Sequence, residues 1–176
     1  MGSPKPAMNK LNHERLLVTL KTCVDDVFAL MVSSFNNATM RALEFAHPRD
    51  ESNIRFHENG SEPQSAAVHK QVVIGFDGDA KGHVVLRCSL ETANSITRGL
   101  LMMDESEELE LSAINDALGE CANMLAGSLK TKALDPVGNF QLGLPDFGEP
   151  KPEGEMEGGL VYKVAEGVMS VEVWLS

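Results

Sequence analysis

Two hydrophobic periodicities alternate along the chain and predict blocks of helices and strands. Apolar residues spaced three or four positions apart indicate helices, and short β-branched apolar runs indicate strands. The predicted helices are Leu11–Phe35, Leu90–Met103 and a longer one that follows the acidic segment 104–110 and runs to about Ala133. The predicted strands are Thr39–Ala46, Val72–Phe76, His83–Cys88, Asn139–Leu144, Leu160–Val164 and Val168–Leu175. Runs of strands beside runs of helices predict an α+β fold, in which long helices cover one face of a mainly antiparallel sheet.

The segments between these elements predict a tight turn and two long loops. Asp77–Gly82 is a polar turn that joins two strands into a hairpin, and its two aspartates lack the further oxygen ligands of a calcium loop. The segments 48–70 and 145–159 are rich in polar residues, proline and glycine, and predict exposed loops. Ser89 precedes the second helix, where its side chain can cap a free N–H group.

Length and charge limit the classes of protein to consider. The 176 residues suit a single domain, assigned to residues 11–176, after a flexible tail or expression remnant at residues 1–10. Lys plus Arg number 15 and Asp plus Glu 26, which gives a formal net charge of −11. This balance offers no basic surface for nucleic acid or for anionic membranes. Because no signal peptide or membrane span is recognisable, we expect a cytoplasmic protein.

The cysteines give no sign of a metal site. Cys23, Cys88 and Cys121 are far apart in the sequence and form no CxxC pair or Cys/His cluster. Each lies among apolar residues of a predicted helix or strand, where a buried free thiol is the common outcome. The pattern therefore predicts three reduced, buried thiols, which suit a cytosolic location.

The third predicted helix carries a polar stripe opposite its apolar face. Asp116, Glu120, Asn123 and Gly127 are spaced by four, three and four residues, so they stack along one line of a helix. The apolar face consists of Ile114, Leu118, Cys121, Leu125 and Leu129. An ordinary solvated face is the alternative interpretation, but asparagine and glycine are poor helix formers that solvation alone would not favour. A polar line bordered by glycine suits close packing against another protein.

This spacing resembles a known signature. Asp116-x-x-x-Glu120-x-x-Asn123, followed by Pro145, is similar to the motif of the CheX, CheC and FliY chemotaxis phosphatases. The order of elements from about Leu11 to Ser176 resembles that of CheX in particular, which implies a CheC/CheX-like fold. Flanking segments that resemble the family are residues 73–76, 82–86 and 123–127.

The resemblance implies a reaction and roles for the stripe. The substrate would be the acyl phosphate on an aspartate of a CheY-like response regulator. Glu120 would pair with the regulator's lysine, and Asn123 would hold the attacking water in line with the phosphorus. Asp116 would support or contact the partner, and Gly127 would permit its close approach. The regulator would bring the Mg²⁺, so no cofactor is expected in this chain.

The resemblance also implies an assembly and leaves two alternatives. CheC proteins carry two such helices, but the first helix here has Asp26-Val-Phe-Ala29 without the asparagine, so a single site is predicted, as in CheX. CheX resemblance further implies a homodimer joined through its sheets. The alternatives are a non-catalytic regulator-binding or scaffold module of the FliM-like kind, and a pure dimerisation domain. The Glu/Asn pair favours the enzyme, because a scaffold has no reason to keep both residues at this spacing.

Overall fold

The computed structural model describes residues 13–32, 41–46, 70–148, 152–164 and 167–176. The helices in these ranges are α1 (His13–Val32), α2 (Leu90–Leu101) and α3 (Leu111–Leu129). The strands are β1 (Arg41–Ala46), β2 (Lys70–Gly78), β3 (Gly82–Cys88), β4 (Phe140–Phe147), β5 (Glu155–Val164) and β6 (Gly167–Leu175). Each predicted helix and strand therefore has a counterpart in the described part of the chain.

The six described strands form one antiparallel sheet. Their order is β1-β5-β6-β3-β2-β4, with β1 and β4 at the edges. β2 and β3 pair through the predicted hairpin turn, and β5 pairs with β6 along nearly its whole length. The pairing of β3 with β6 joins the two hairpins in the middle of the sheet.

The helices cover one face of this sheet. α1 packs on β5, α2 on β6, and α3 on β2, β3 and β4. α2 begins after Ser89, whose side chain accepts a hydrogen bond from the Thr92 N–H, as the sequence predicted. The main core lies between helices and sheet, where burying one leucine contributes about 1.5–3 kcal/mol. Its fully buried large side chains include Leu16, Leu20, Ile74, Leu86, Ile96, Leu118, Leu125 and Leu160.

The opposite face of the central strands holds a second cluster with a buried carboxylate. Glu172 lies on this face, paired across the strands with Val85, and is fully buried. Trp174 Nε1 and Ser170 Oγ each donate a hydrogen bond of 2.9 Å to the Glu172 carboxylate, and Arg87 lies 3.4 Å from it. These partners offset the desolvation of the charge. The apolar members of the cluster are Val73, Val85, Met156 and Trp174.

The prediction of one exposed loop over residues 145–159 is wrong at both ends. β4 continues through Pro145 to Phe147, and β5 begins at Glu155. An edge strand tolerates proline because its outer N–H groups have no partner strand. In β5, a Cβ at Gly158 would come within 3.0 Å of the Leu17 side chain. That glycine marks the close approach of α1 to the sheet, and not a loop.

Other predictions can be compared with the structure directly. Cys23, Cys88 and Cys121 are free and buried, as predicted. α3 starts only at Leu111, after the acidic segment, and ends in one π-helical turn over Lys130–Leu134. The predicted tail 1–10, the predicted ends of the first helix and residues 48–69 of the predicted loop lie outside the described residues.

Candidate active site

The polar stripe lies on the side of α3 that faces away from the sheet. α3 packs on β2, β3 and β4 beneath it and against α1 and α2 beside it. Its apolar face supplies the stability that Asn123 and Gly127 do not, because most helical stability in proteins comes from tertiary packing. Leu118, Cys121 and Leu125 are each at most 1% exposed. The helix is therefore anchored along one side and open along the other.

The structure places the predicted stripe on this open side. Asp116, Glu120 and Asn123 are exposed, and Gly127 is half-buried. At about 1.5 Å of rise per residue, Glu120 and Asn123 stand about 4.5 Å apart along the axis, and the stripe from Asp116 to Gly127 is about 16 Å long. The predicted geometry, with the stripe exposed and its apolar counterpart buried beneath, is confirmed. The chemical roles of these residues remain predictions.

The side chains of the stripe are not engaged with the rest of the described chain. No described residue donates a hydrogen bond to, or pairs with, the carboxylates of Asp116 and Glu120 or the amide of Asn123. By contrast, nearby positions on α3 and on the π-helical turn that follows it are engaged. Lys70 Nζ donates to Asn115 Oδ1 at 3.3 Å, and Lys130 pairs with Asp135 at 2.8 Å. The stripe therefore presents polar groups that a partner can use without first breaking these contacts.

The two glycines of α3 have different surroundings. A Cβ built on Gly127 would meet nothing within 4 Å, so no intramolecular contact requires a glycine there. A Cβ on Gly119 would lie 2.8 Å from Cζ of Phe147, so the aromatic ring occupies the space that a side chain would fill. Gly119 immediately precedes Glu120. Because the Phe147 ring packs at Gly119, it lies at the edge of the stripe.

The end of strand β4 forms one flank of the site, and the sequence prediction assigned this end to a loop. Phe147 stands opposite Val72 and Pro145 opposite Ile74, so both follow the register of β2 beneath α3. Phe147 is 44% exposed. Leu144 is 88% exposed but lies on the opposite face of the sheet, because side chains alternate along a strand. Because residues 145–147 were predicted as loop, the sequence offered no reason to expect this flank. The one available signal was Gly119, directly before Glu120, since a glycine in a helix can mark the close approach of another element.

Cys121 is next to Glu120 in sequence but lies on the buried face. Burial raises the pKa of the Cys121 thiol, with smaller contributions from Cys88 and Glu120, so the group stays protonated near neutral pH. A buried, protonated thiol is a poor nucleophile. Among the described residues, no group of three or more His, Cys, Asp or Glu side chains is placed to hold a metal ion. The exposed chemistry of the stripe consists of two carboxylates and a carboxamide.

An exposed Asp/Glu/Asn stripe on a helix that covers an antiparallel sheet is the arrangement expected of CheC/CheX-like proteins. Residues 71–153 match the model of a family described as the chemotaxis phosphatase CheX. This segment contains the whole of the stripe and the β4 flank. Among curated proteins, no sequence matches the chain. No described helix is long and apolar enough to cross a membrane.

Solved structures show the same fold. CheX from Desulfovibrio desulfuricans has a TM-score of 0.65 and 16% identity, and the match covers 92% of this chain and 99% of that one. CheX from Vibrio vulnificus has a TM-score of 0.65 and 15% identity, with coverage of 92% and 99%. The CheX–CheY–BeF3–Mg²⁺ complex from Borrelia burgdorferi has a TM-score of 0.60 and 13% identity, with coverage of 94% and 99%. CheC-like proteins, FliY and FliM also match.

At these identities the structural likeness shows the fold. It confirms the predicted α+β, CheC/CheX-like class over most of the chain. Together with the family match over residues 71–153, it confirms the resemblance to the CheX, CheC and FliY proteins that the motif indicated.

Proposed function

We propose that this chain is a phosphatase that removes the phosphoryl group from the aspartyl phosphate of a CheY-like response regulator. The observation that carries the proposal is the pair of Glu120 and Asn123, exposed and without described partners, one turn apart on α3. They lie inside the segment that matches the chemotaxis phosphatase CheX. A surface of this kind suits a reaction whose other components arrive on a second protein.

Glu120 is proposed to dock the regulator by pairing with the lysine of its active site. The carboxylate is exposed in the free protein, where an ion pair contributes little because water screens it. When the regulator covers α3, water is excluded and the same pair becomes stronger. Asp116 lies one turn before Glu120 and extends the acidic surface towards the partner. Gly127 has no side chain at the far end of the stripe, so the partner's backbone can approach the helix closely there.

Asn123 is proposed to orient the attacking water. Its amide can donate and accept a hydrogen bond at once, which fixes the water in line with the phosphorus without acting as a base. The water oxygen attacks the phosphorus and the bond between phosphorus and the aspartyl oxygen breaks. The aspartate regains its carboxylate, and inorganic phosphate leaves with the water's oxygen and both of its protons. Positioning and charge neutralisation dominate catalysis of this reaction. Two well-placed side chains can therefore be sufficient on this side of the interface.

The regulator is proposed to supply the Mg²⁺, the lysine and the phosphorylated aspartate. The Borrelia burgdorferi structure of similar fold contains CheX with CheY, BeF3 and Mg²⁺, which supports this division of roles. We also propose that the protein acts as a homodimer in the cytoplasm. The three free cysteines support a reducing compartment.

The test is the decay of a phosphorylated regulator from the same genome in the presence of Mg²⁺. Asn123→Ala should fold normally, because surface substitutions usually change stability by no more than about 0.5 kcal/mol. Its turnover should fall on the order of 10²–10³-fold, the usual loss when one positioned polar group is removed. Glu120→Ala should weaken both docking and turnover, because it removes a partner of the ion pair.

Asp116→Ala is the matched control on the same exposed line, with a smaller expected loss of turnover. The double variant of Glu120 and Asn123 should resemble the worse single variant, because residues that act as a unit are not additive. If Asn123→Ala removes the phosphoryl group as fast as the wild type, the catalytic proposal fails. A FliM-like scaffold that binds the regulator without dephosphorylating it would then take its place.

A further inference from the structure

The end of β4 that carries Phe147 is held by few backbone contacts. β4 is an edge strand of the described sheet, so within that sheet it pairs with β2 alone. An irregularity in this pairing separates residues 145–147 from the rest of the strand. Pro145 in this short stretch supplies no backbone N–H. Because strand ends with few hydrogen bonds open most readily, the position of Phe147 depends on what else holds this end.

The Gln71 side chain provides a further contact at this strand end. Its Nε2 donates a hydrogen bond of 3.3 Å to the carbonyl of Gly148, the residue that follows Phe147. Its Oε1 accepts a hydrogen bond of 2.8 Å from Nε of Arg87. A guanidinium can only donate hydrogen bonds, so the contact with Arg87 determines that the Nε2 end of the amide faces Gly148.

Arg87 is itself held on the face of the sheet that lies away from the helices. Its guanidinium lies 3.4 Å from the carboxylate of Glu172, which is fully buried. Trp174 and Ser170 donate hydrogen bonds to the same carboxylate. A buried charge with several partners has little freedom to move, because a displacement would leave it unpaired. The contacts therefore connect a well-anchored group in the interior with the end of β4.

The same strand end contacts the active helix on the other face of the sheet. The Phe147 ring fills the space beside Gly119, where a Cβ would lie 2.8 Å from Cζ of the ring. Gly119 directly precedes Glu120 on α3. The ring therefore supports, from the side of β4, the helical turn that carries Glu120. If the ring moved away, that turn and its carboxylate would lose this support.

We propose that Gln71 is a positioning residue for the active site. By holding Gly148, it keeps the Phe147 ring against Gly119 and so fixes the turn that presents Glu120 to the regulator. The proposal rests on the proposed phosphatase function and adds to it a residue outside the stripe. Because Glu120 is proposed to dock the regulator, loss of the contact between Gln71 and Gly148 should weaken binding and leave the chemical step unchanged.

The experiment is steady-state dephosphorylation of the regulator by Gln71→Glu. Glutamate still accepts a hydrogen bond from Arg87 but cannot donate one to Gly148. KM should rise about five- to tenfold with kcat unchanged, within the roughly 10²-fold that a displacement of about 1 Å can cost. Gln71→Met, which loses both contacts at similar size, should have the same effect. Gln141→Glu is the matched control, because it makes the same change of charge at the exposed other end of β4.

NMR follows the ring without the regulator. The aromatic ring shifts the resonance of the Gly119 Hα atoms, and Phe147→Leu gives the reference without a ring. The shift should shrink in Gln71→Glu and stay at its wild-type value in Gln141→Glu. An unchanged shift in Gln71→Glu would overturn the positioning role of Gln71.

The kinetic outcomes separate this role from the proposed function. A wild-type KM in either Gln71 variant would overturn the positioning role and leave the phosphatase intact. A lower kcat at unchanged KM would also overturn it, because loss of folded protein lowers the active fraction without changing KM. If the wild type does not dephosphorylate the regulator, the proposed function fails. The NMR shift, and the Kd of the BeF3–Mg²⁺ form of the regulator in place of KM, would then still decide the role of Gln71.

Discussion

At the scale of single residues, the stripe combines groups that a helix does not need for its own stability. Asn123 and Gly127 each lower helix propensity relative to alanine, by up to about 1 kcal/mol. Gly127 has open space where its Cβ would be, so its cost has no structural compensation within the described chain. Glycine at this position is explained if something outside the chain comes close to it.

We therefore predict that Gly127→Ala stabilises the protein and impairs its activity. The variant should gain about 0.5–1 kcal/mol of unfolding free energy, because alanine is the better helix former and meets no neighbour. The rate of regulator dephosphorylation should fall, because the added methyl group holds the partner away from Asn123. Urea unfolding and the phosphatase assay measure the two effects separately.

Gly119→Ala is the matched control on the same helix. Its Cβ would lie 2.8 Å from the Phe147 ring, so the ring or the helix must shift. We expect this variant to lose stability where Gly127→Ala gains it. Equal stability and equal activity for Gly127→Ala and the wild type would contradict the close approach proposed at Gly127.

At the scale of elements, the position of β4 determines which residues lie beside the stripe on α3. The sheet order puts β4 at an edge beside β2, and α3 lies over both strands. Because β4 extends to Phe147, its last residues run beneath α3 to the edge of the stripe. α1, which carries no Glu/Asn pair, lies beside α3 on the same face of the sheet, over β5.

The proposed homodimer also depends on the arrangement of the strands. Two edge strands, or the sheet face around Glu172, are the surfaces through which sheets of two chains can join. We expect light scattering at micromolar concentration to give a mass of about twice 19.1 kDa. A monomeric mass for the wild type would contradict the close analogy with CheX and leave the fold unaffected.

At the scale of the whole molecule, the core holds its thiols in the protonated form. Burial raises the pKa of Cys88 from 9.0 to about 12, and it also raises the pKa values of Cys121 and Tyr162. In each case desolvation is the largest cause, because an anion in the core loses its hydration. These groups therefore contribute to the pH dependence of stability on the alkaline side.

We predict that stability falls as pH rises above about 9. Between pH 9 and about 12 the folded chain keeps the Cys88 proton, while the unfolded chain releases it. The unfolded state then binds fewer protons than the folded state, so the unfolding free energy decreases with pH. Urea midpoints at pH 8 and pH 10 measure the effect.

Cys88→Ala serves as the control for this pH dependence. It should be less stable than the wild type at pH 8, because it leaves a cavity. Its further loss between pH 8 and pH 10 should be smaller, because one titrating group is gone. Equal losses in the variant and the wild type would show that Cys88 does not contribute.

The sequence by itself determined the elements and the stripe. Helical spacing identified Asp116, Glu120 and Asn123 as one exposed line and Leu118 and Leu125 as buried, because a regular helix fixes which residues share a face. Short apolar runs, some of them β-branched or alternating, located the six described strands, and the apolar surroundings of the cysteines predicted their burial. These inferences are local: the periodicity of a few helical turns, or of a few strand residues, is sufficient to make them.

Only the tertiary structure decided how these elements meet. Proline and glycine between residues 145 and 159 indicate a loop when seen alone, but edge position and the approach of α1 turn both ends of the segment into strand. The contact between Gly119 and Phe147 joins residues far apart in sequence. The pairing of β3 with β6 does the same. Such contacts depend on sheet order and packing, which no local pattern specifies, and they place the Phe147 ring beside the catalytic candidates.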